Sequence, residues 1–312
     1  MISGELRERA EALTAERSPF VIATVVRVQR PASVAPASTG LVQADGTIDG
    51  FIGGVCAQHS VRLYSLTAIE SGMPLLLRIL PDPEGDAPRD DPAAAVELSR
   101  EEGTVTVRNP CLSGGAIEIF LEPVLPAPRV LVAGNSPIVA AFRSLAPELG
   151  LEIVAAQDIE DGVLTPAPTD LALVVAAHGQ DEIAVLRAGL ETGLPYVGLV
   201  ASPKRAAAVT AELRAEGVSD ALVDALDAPA GIDIKARTPA EIALSILARI
   251  ISVRRSAPVR APASAVDPVC GMTVAVTADT PSTEHQGEIV YFCCAGCRTK
   301  FEERRELARS DG

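Results

Sequence analysis

Residues 129–138 read Arg-Val-Leu-Val-Ala-Gly-Asn-Ser-Pro-Ile, and this stretch decides the fold of the middle of the chain. Its first five residues form the short aliphatic run that is typical of a buried parallel strand. Gly134 permits a tight turn, Ser136 is a good helix N-cap, and Pro137 suits the first position of a helix. A strand, a glycine turn and a helix start in this order predict the ligand-binding edge of a doubly wound sheet.

The flanking sequence continues the same alternation. Aliphatic runs recur at 151–155, 171–177 and 196–200, and a helical pattern follows each of the last two runs. This β-α-β order predicts an α/β fold class with a Rossmann-like, doubly wound parallel sheet. Aromatic residues make up only 3% of the chain, without Trp, so its cores must be built from aliphatic side chains. The predicted helices span residues 137–149, a segment after Asp181, 204–216 and 239–251.

Local composition divides the chain into four parts. Residues 1–126 combine a helical start with strands and a hairpin, which predicts an α+β domain. Residues 127–253 form the Rossmann-like domain, and residues 254–265 are a Pro/Ala-rich linker expected to be extended. Residues 266–312 form a cysteine-rich module so small that its fold is expected to need a metal or another staple.

The charge of the chain excludes several classes of function. Its net charge is −14, from 41 Asp and Glu against 27 Lys and Arg, so its surface repels nucleic acid and anionic lipid. No apolar run reaches membrane-spanning length, and residues 1–9 lack the apolar core of a signal peptide. We therefore expect a cytoplasmic protein without an integral membrane segment. That compartment is reducing, so the six cysteines are interpreted as thiols or metal ligands.

Four cysteines crowd the C-terminal module. Two thiolates on a tight turn with a more distant third or fourth can hold a soft or borderline metal, and Zn and Cu(I) fit equally well. A reduced thiol cluster that only packs is the alternative. The opening Asp-Pro-Val-Cys-Gly-Met and the box Tyr-Phe-Cys-Cys-Ala-Gly-Cys resemble a YHS/TRASH-type metal-binding domain. The resemblance implies Cys270, Cys293 and Cys297 as ligands, and Cys294 joins the predicted metal set with its role left open.

Further candidates lie along the edge of the predicted Rossmann-like sheet. Free amides at the helix start of Ser136 favour a phosphate. The glycine fingerprint after Gly134 is degraded, so a fold kept without its nucleotide is a comparable interpretation and NAD(P) binding is not expected. Asp158, 24 residues after Gly134, is a candidate ribose contact. Three candidates remain at this edge. His178 is either an acid/base or phosphate contact or a loop histidine without a role. Lys204 and Arg205 either hold an anionic group or are the solvated start of a helix.

Two cysteines of the N-terminal section lie beside paired glycines. They occur in Gly53-Gly54-Val55-Cys56 and in Cys111-Leu-Ser-Gly114-Gly115. Paired glycines let backbone amides approach a ligand closely, and a thiol beside such amides can be partly ionised. Two such units predict a shared pocket. The alternative is a pair of buried structural cysteines at tight turns.

The distributed motifs of residues 20–252 resemble the xanthine dehydrogenase accessory (XdhC/CoxI) family. They include both glycine–cysteine turns, where Val55 departs from the commoner adjacent arrangement, and the segments 131–139, 171–179, 196–205 and 228–250. The resemblance implies a protein that binds molybdenum cofactor, as molybdopterin or its cytosine dinucleotide form. It further implies that the protein assists sulfuration of the cofactor and its insertion into a xanthine- or carbon-monoxide-dehydrogenase-type hydroxylase.

The implied partners are the hydroxylase apoenzyme and a cysteine-desulfurase-type sulfur donor, and a homodimer is left open. We expect a cofactor chaperone without its own turnover. A nucleotide-dependent oxidoreductase or sulfur-transfer enzyme is the first alternative, although the sequence offers no clear catalytic dyad. A copper donor or sensor acting through the C-terminal cysteines is the second.

Overall fold

The computed structural model describes residues 3–81, 97–101, 103–109, 115–159, 163–177, 181–258 and 261–310. The chain forms two compact units, of which one combines residues 1–126 with 259–312 and the other comprises residues 127–258. The predicted fold class is confirmed, with a mixed α/β chain, a parallel Rossmann-like sheet and a cysteine cluster near the C-terminus. Among the described residues, no helix is long and apolar enough to cross a bilayer.

A seven-stranded sheet organises the N-terminal section of the first unit. Its neighbouring strands are antiparallel except for one parallel pair. The strands are β1 (Phe20–Gln29), β2 (Thr39–Gln43), β3 (Ile48–Gly50), β4 (Leu75–Pro81), β5 (Glu97–Glu101), β6 (Thr104–Asn109) and β7 (Ala116–Val124). Their order across the sheet is β3-β2-β1-β7-β4-β6-β5, and β4 and β6 are the parallel pair.

Two helices accompany this sheet. Helix α1 (Gly4–Ala15) begins after the N-cap Ser3, and α2 (Val55–Ser71) ends at Gly72 in the left-handed conformation. Helix α2 packs on the sheet, because its apolar residues share one buried cluster with β1, β4 and β7. The sequence analysis predicted neither the extent of α2 nor β4.

The second unit has the predicted doubly wound architecture. Its strands β8 (Arg129–Ala133), β9 (Glu152–Ala155), β10 (Ala172–Val175) and β11 (Tyr196–Leu199) are all parallel, in the order β11-β10-β8-β9. Because β9 and β10 lie on opposite sides of β8, the topological switch point lies at the carboxyl end of β8. That point is the Gly134 turn.

Helices cover both faces of this sheet. They are α3 (Pro137–Leu145), α4 (Asp181–Glu191), α5 (Pro203–Ala215), the short α6 (Asp220–Asp224) and α7 (Pro239–Ser256). One core places α3 and α7 against Val130 and Val132, and a second places α4 and α5 against Leu131 and Ala133. Because both faces are covered, Val130–Ala133 of β8 form an unbroken aliphatic run in which every residue is buried. Helix α7 extends to Ser256, into the stretch predicted as a linker.

The C-terminal module consists of two short hairpins and a helix. Strands β12 (Ser264–Val266) and β13 (Thr273–Ala275) pair antiparallel, as do β14 (Ser282–His285) and β15 (Glu288–Tyr291), and α8 (Ala295–Ser310) follows the cysteine box. Strand β13 packs against α2, and Ala275 belongs to the core cluster of the seven-stranded sheet. The module is therefore built onto the N-terminal section within one compact unit.

Candidate functional site

Three cysteines of the C-terminal module converge. The Sγ atoms of Cys270 and Cys293 lie 3.5 Å apart, and those of Cys293 and Cys297 lie 3.6 Å apart. A carboxylate oxygen of Asp267 joins them, and the four candidate ligand atoms all lie within 4.8 Å of one another. Three sulfurs and one oxygen in a partly buried cluster fit a thiophilic ion such as Zn or Cu(I).

Cys294 was predicted in the metal set, and the structure places it differently. It precedes the first residue of α8, and its Sγ accepts a hydrogen bond from the backbone N–H of Cys297 at 3.4 Å. This thiol therefore acts as a helix N-cap and is not among the converging ligand atoms.

Asp267 is the residue of this cluster that the sequence analysis did not single out. Its side chain is completely buried. Oδ1 accepts the N–H of Val269 at 2.8 Å, while Oδ2 accepts the N–H of Cys293 at 2.7 Å. One carboxylate thus ties together the two segments that carry the ligands. The sequence feature that could have pointed to Asp267 is its position three residues before Cys270, where an Asp side chain can form an Asx-type turn.

The thiols of the cluster form hydrogen bonds with one another, and these bonds shift their pKa values. A hydrogen bond from the Cys293 thiol lowers the pKa of Cys270, and the same bond, with burial, raises the pKa of Cys293. Burial raises the pKa of the Cys297 thiol as well. Metal binding must therefore displace protons from Cys293 and Cys297, so affinity for metal rises with pH.

The first glycine–cysteine turn forms the start of α2. Gly54 is the N-cap, so Cys56 is the second residue of the helix, although its side chain lies outside the description. Gly53 has φ of +140°, and a Cβ there would approach the Cβ of Ala57 to 2.8 Å and lie 3.8 Å from Cδ1 of Ile117. The turn therefore lies against the beginning of β7.

The second glycine–cysteine turn leads into that same strand. Cys111 and Gly114 lie outside the described residues, whereas Gly115 is described. A Cβ at Gly115 would meet the carbonyl oxygen of Pro31 at 1.8 Å, so only glycine fits there. The described parts of both turns thus lie at the same end of the sheet, next to the start of β7.

His59 lies one helical turn beyond Cys56 and is 6% exposed. Its Nδ1 lies 3.4 Å from Nη1 of Arg62. Burial and the Arg62 charge lower the pKa of His59 from 6.5 to about 4, and the Asp267 carboxylate partly opposes this. The imidazole is therefore neutral at physiological pH.

This lowered pKa predicts a pH-dependent stability. The unfolded chain binds a proton at position 59 near pH 6.5 and the folded chain only near pH 4, so stability is lost as the pH falls between these values. From pH 7 to pH 5 the wild type should lose up to about 2 kcal/mol more than His59→Gln. Native-state hydrogen exchange of α2, with a chelator present at both pH values, measures the difference. Equal losses in the two proteins would contradict the assignment.

The switch point of the Rossmann-like sheet has an open helix start. Gly134 has φ of +132°, and Ser136 is the N-cap of α3 without a side-chain capping bond. The Ser136 hydroxyl oxygen is buried and has no hydrogen-bond partner among the described residues. Asp158 accepts the N–H of Ala155 at 2.9 Å and pairs with Arg143, and that backbone bond is the main cause of its lowered pKa.

The other predicted residues of this edge are placed as follows. Arg205 forms an ion pair with the buried Glu182 and donates to the carbonyl oxygen of Ala177 at 3.3 Å, so its charge is already matched. Lys204 is exposed in the first turn of α5. His178 lies outside the described residues.

Two family models match this chain. The XdhC Rossmann domain matches residues 130–250, and the XdhC and CoxI family matches residues 13–79. XdhC family domains are therefore present in the N-terminal section and in the Rossmann-like unit.

Individual relatives differ in how much of their length is shared. The uncharacterized Escherichia coli protein YqeB is 28% identical over 80% of this chain, which spans about half, 46%, of that protein. The E. coli molybdenum cofactor insertion chaperone PaoD is 25% identical over 80% of this chain and 87% of its own length. A copper-transporting P-type ATPase of Rhizobium leguminosarum is 57% identical over 35 residues, 11% of this chain and 4% of the ATPase. A solved xanthine dehydrogenase structure from Bacillus halodurans is 19% identical, with a TM-score of 0.37, covering 80% of this chain and 96% of that one.

Proposed function

We propose that this chain, which carries XdhC family domains, is an accessory protein that binds molybdenum cofactor and assists its sulfuration and insertion into a molybdenum hydroxylase. The observation that carries the proposal is the similarity to PaoD, a molybdenum cofactor insertion chaperone, over 280 residues and 87% of its length. The role is one of binding and delivery and needs no turnover by the chain itself.

The start of α2 supports this role. A thiol in the first turn of a helix faces the free amides and the positive end of the helix dipole, which favour the thiolate. Cys56 occupies such a position. We assign Cys56, together with Cys111, to contact with the molybdenum centre of the bound cofactor. Gly53, Gly54, Gly114 and Gly115 then let the backbone approach that cargo closely.

The Rossmann-like unit offers a separate place for phosphate. Pro137 has no N–H, and the Val139 amide donates to the carbonyl oxygen of Ser136 at 3.0 Å, so the buried Ser136 hydroxyl is the group at the start of α3 without a partner among the described residues. A phosphate of molybdopterin, or of its cytosine dinucleotide form, would accept a hydrogen bond from this hydroxyl near the positive end of the helix dipole. Lys204 is the exposed cation we assign to the same group, whereas Arg205 is held by Glu182. His178 and Asp158 complete the assigned edge.

The partners follow from this role. We assign a xanthine- or carbon-monoxide-dehydrogenase-type apoenzyme as the acceptor and a cysteine-desulfurase-type protein as the sulfur donor, in the cytoplasm. A homodimer is compatible with this scheme.

A second function is favoured by the C-terminal cluster. We assign it to a YHS-type module that holds Zn or Cu(I) through Cys270, Cys293 and Cys297. A 35-residue segment of this chain is 57% identical to part of a copper-transporting ATPase, and three thiolates suit Cu(I) as well as Zn. The module would then act as a metal donor or sensor beside the chaperone.

The main proposal predicts that the full chain, expressed in a host that makes molybdenum cofactor, co-purifies with molybdenum and oxidised pterin near 1:1. Cys56→Ser should lose most of the bound molybdenum because it removes a sulfur that we assign to the molybdenum centre. Cys294→Ser is the matched control, since that thiol caps α8, and should retain it. A wild-type chain without molybdenum or pterin would refute the chaperone role.

A further inference from the structure

Helix α2 is covered around most of its circumference. Consecutive residues are 100° apart on a helix, and residues 59–61 and 63–65 are all buried. The seven-stranded sheet can cover only one side. The C-terminal module supplies further cover, because β13 packs against α2 and Ala275, 1% exposed, lies in the same apolar cluster.

The contact between the module and the N-terminal section is closely fitted. Gly46, in the β2–β3 turn, has φ of +88°, and a Cβ there would lie 2.7 Å from Cγ2 of Thr277. Arg62 of α2 donates from Nε to the Gly46 carbonyl oxygen at 2.7 Å. Asp45 of the N-terminal section and Asp279 of the module both favour the charge of this arginine. The Arg62 side chain therefore bonds to the β2–β3 turn and is also favoured by a carboxylate of the C-terminal module.

The candidate metal ligands adjoin this contact. Asp267 holds the Cys293 segment through a 2.7 Å hydrogen bond and is also within electrostatic reach of His59 on α2. Strand β13 begins three residues after Cys270. The strand that packs on α2 thus leaves directly from a ligand-bearing turn.

The module has little core of its own to hold this arrangement. Among the described residues, the buried cluster around the cysteines comprises Met272, Val274 and Cys293, and beside it the buried Phe292 packs on the ring of Phe301. Small modules of this kind gain much of their folding free energy from the metal. Without metal, no shared ion joins Cys270 on one ligand segment to Cys293 and Cys297 on the other.

We propose that metal binding at Cys270, Cys293 and Cys297 locks the C-terminal module onto α2, so that metal occupancy controls the exposure of the α2 surface around His59 and Arg62. The module is a metal-dependent cover for the helix that starts at the Gly53–Gly54 turn. This inference rests on the metal-binding role proposed above for the C-terminal module but not on the cofactor-chaperone role, because the lock involves only the bound ion and residues of this chain.

Hydrogen exchange of the full chain, measured by mass spectrometry, tests the lock without any molybdenum cofactor. The protein is compared after loading with Zn(II), after loading with Cu(I) and after treatment with a chelator. Chelation should speed exchange about tenfold or more in both the module and residues 55–71. Strands β8 and β10 of the other unit serve as the internal control and should not change. Faster exchange in the module with unchanged exchange in residues 55–71, or no change in either, would overturn the proposal.

Two variants and one surface control test the contact with α2 without changing a metal ligand. Ala275→Arg places a charged side chain in the buried contact and should speed exchange of α2 even with metal bound, while Ile289→Arg, at a position 63% exposed, should not. Asp279→Lys keeps the core intact and should produce a smaller increase, because it reverses a charge that favours Arg62. Metal stoichiometry should remain that of the wild type in all three. Wild-type exchange of α2 in both Ala275→Arg and Asp279→Lys would rule out the proposed contact.

Discussion

Cys293→Ser is expected to abolish retention of metal by the C-terminal module, whereas Cys294→Ser leaves the metal bound. The Cys293 sulfur is central, 3.5 Å from that of Cys270 and 3.6 Å from that of Cys297, and only 2% of the residue is exposed. Its loss should weaken binding by more than the roughly 10- to 100-fold that follows loss of a partner outside the ligand shell. Elemental analysis after dialysis, and competition with a chromophoric chelator, measure the retention.

The adjacent residue makes this comparison sharp. Cys294 caps α8, and serine is also a good N-cap, so Cys294→Ser preserves the helix start. Each variant removes one thiol from adjacent positions of the same segment, so a difference in retained metal cannot come from the number of thiols alone. Equal loss of metal in the two variants would restore the four-cysteine site predicted from the sequence and contradict the three-cysteine set with Asp267.

The parts of the fold that the sequence predicts are those with local signals. In the stretch 129–138, the strand, the tight turn and the helix start each depend on a few neighbouring residues. Gly150 is another such signal: α3 itself ends at Leu145, and a 3₁₀ turn at Pro147–Leu149 continues to Gly150, whose left-handed conformation at φ of +65° ends the helical segment where predicted. The doubly wound order then follows from the alternation of strands and helices.

Helix α2 shows why the remainder was missed. A helix is recognised by one apolar and one polar face, but α2 is covered by the sheet and by the module around most of its circumference, with a partly buried strip at Gln58, Arg62 and Leu66. That second cover comes from β13, about 200 residues later in the chain, and no local pattern records it. The hydrogen bond from the N–H of Cys293 to Asp267 is hidden in the same way, because 26 residues of sequence separate the two.

The candidate sites follow the same rule. From the local sequence, Lys204 and Arg205 are equally good candidates to bind an anion, because both are cations that follow the same strand. The structure distinguishes them only through Glu182, a buried carboxylate on another helix that pairs with Arg205. Ion pairs between distant segments decide whether a cation is available to a ligand, and sequence spacing carries no record of them.

Gly134→Ala should destabilise the Rossmann-like unit by about 3–5 kcal/mol, because it combines backbone strain with a steric clash. The residue has φ of +132°, and a Cβ there would lie 2.6 Å from the carbonyl oxygen of Ala176. That oxygen belongs to the backbone just beyond β10, so it can yield only if the sheet edge moves. The displacement would also shift the start of α3, where we propose that a phosphate binds.

Gly193→Ala is the matched control, since Gly193 has φ of +73° and no atom within 4 Å of the added Cβ. It should cost only about 1 kcal/mol, the strain alone. Scanning calorimetry of the full chain, with the transition of residues 127–258 identified by limited proteolysis, gives both values. Similar losses in the two variants would mean that the approach of Gly134 to Ala176 does not constrain the switch point. A large loss confined to Gly134→Ala would mean that this turn admits only glycine, because the end of β8 and the backbone just beyond β10 approach each other too closely there for a side chain.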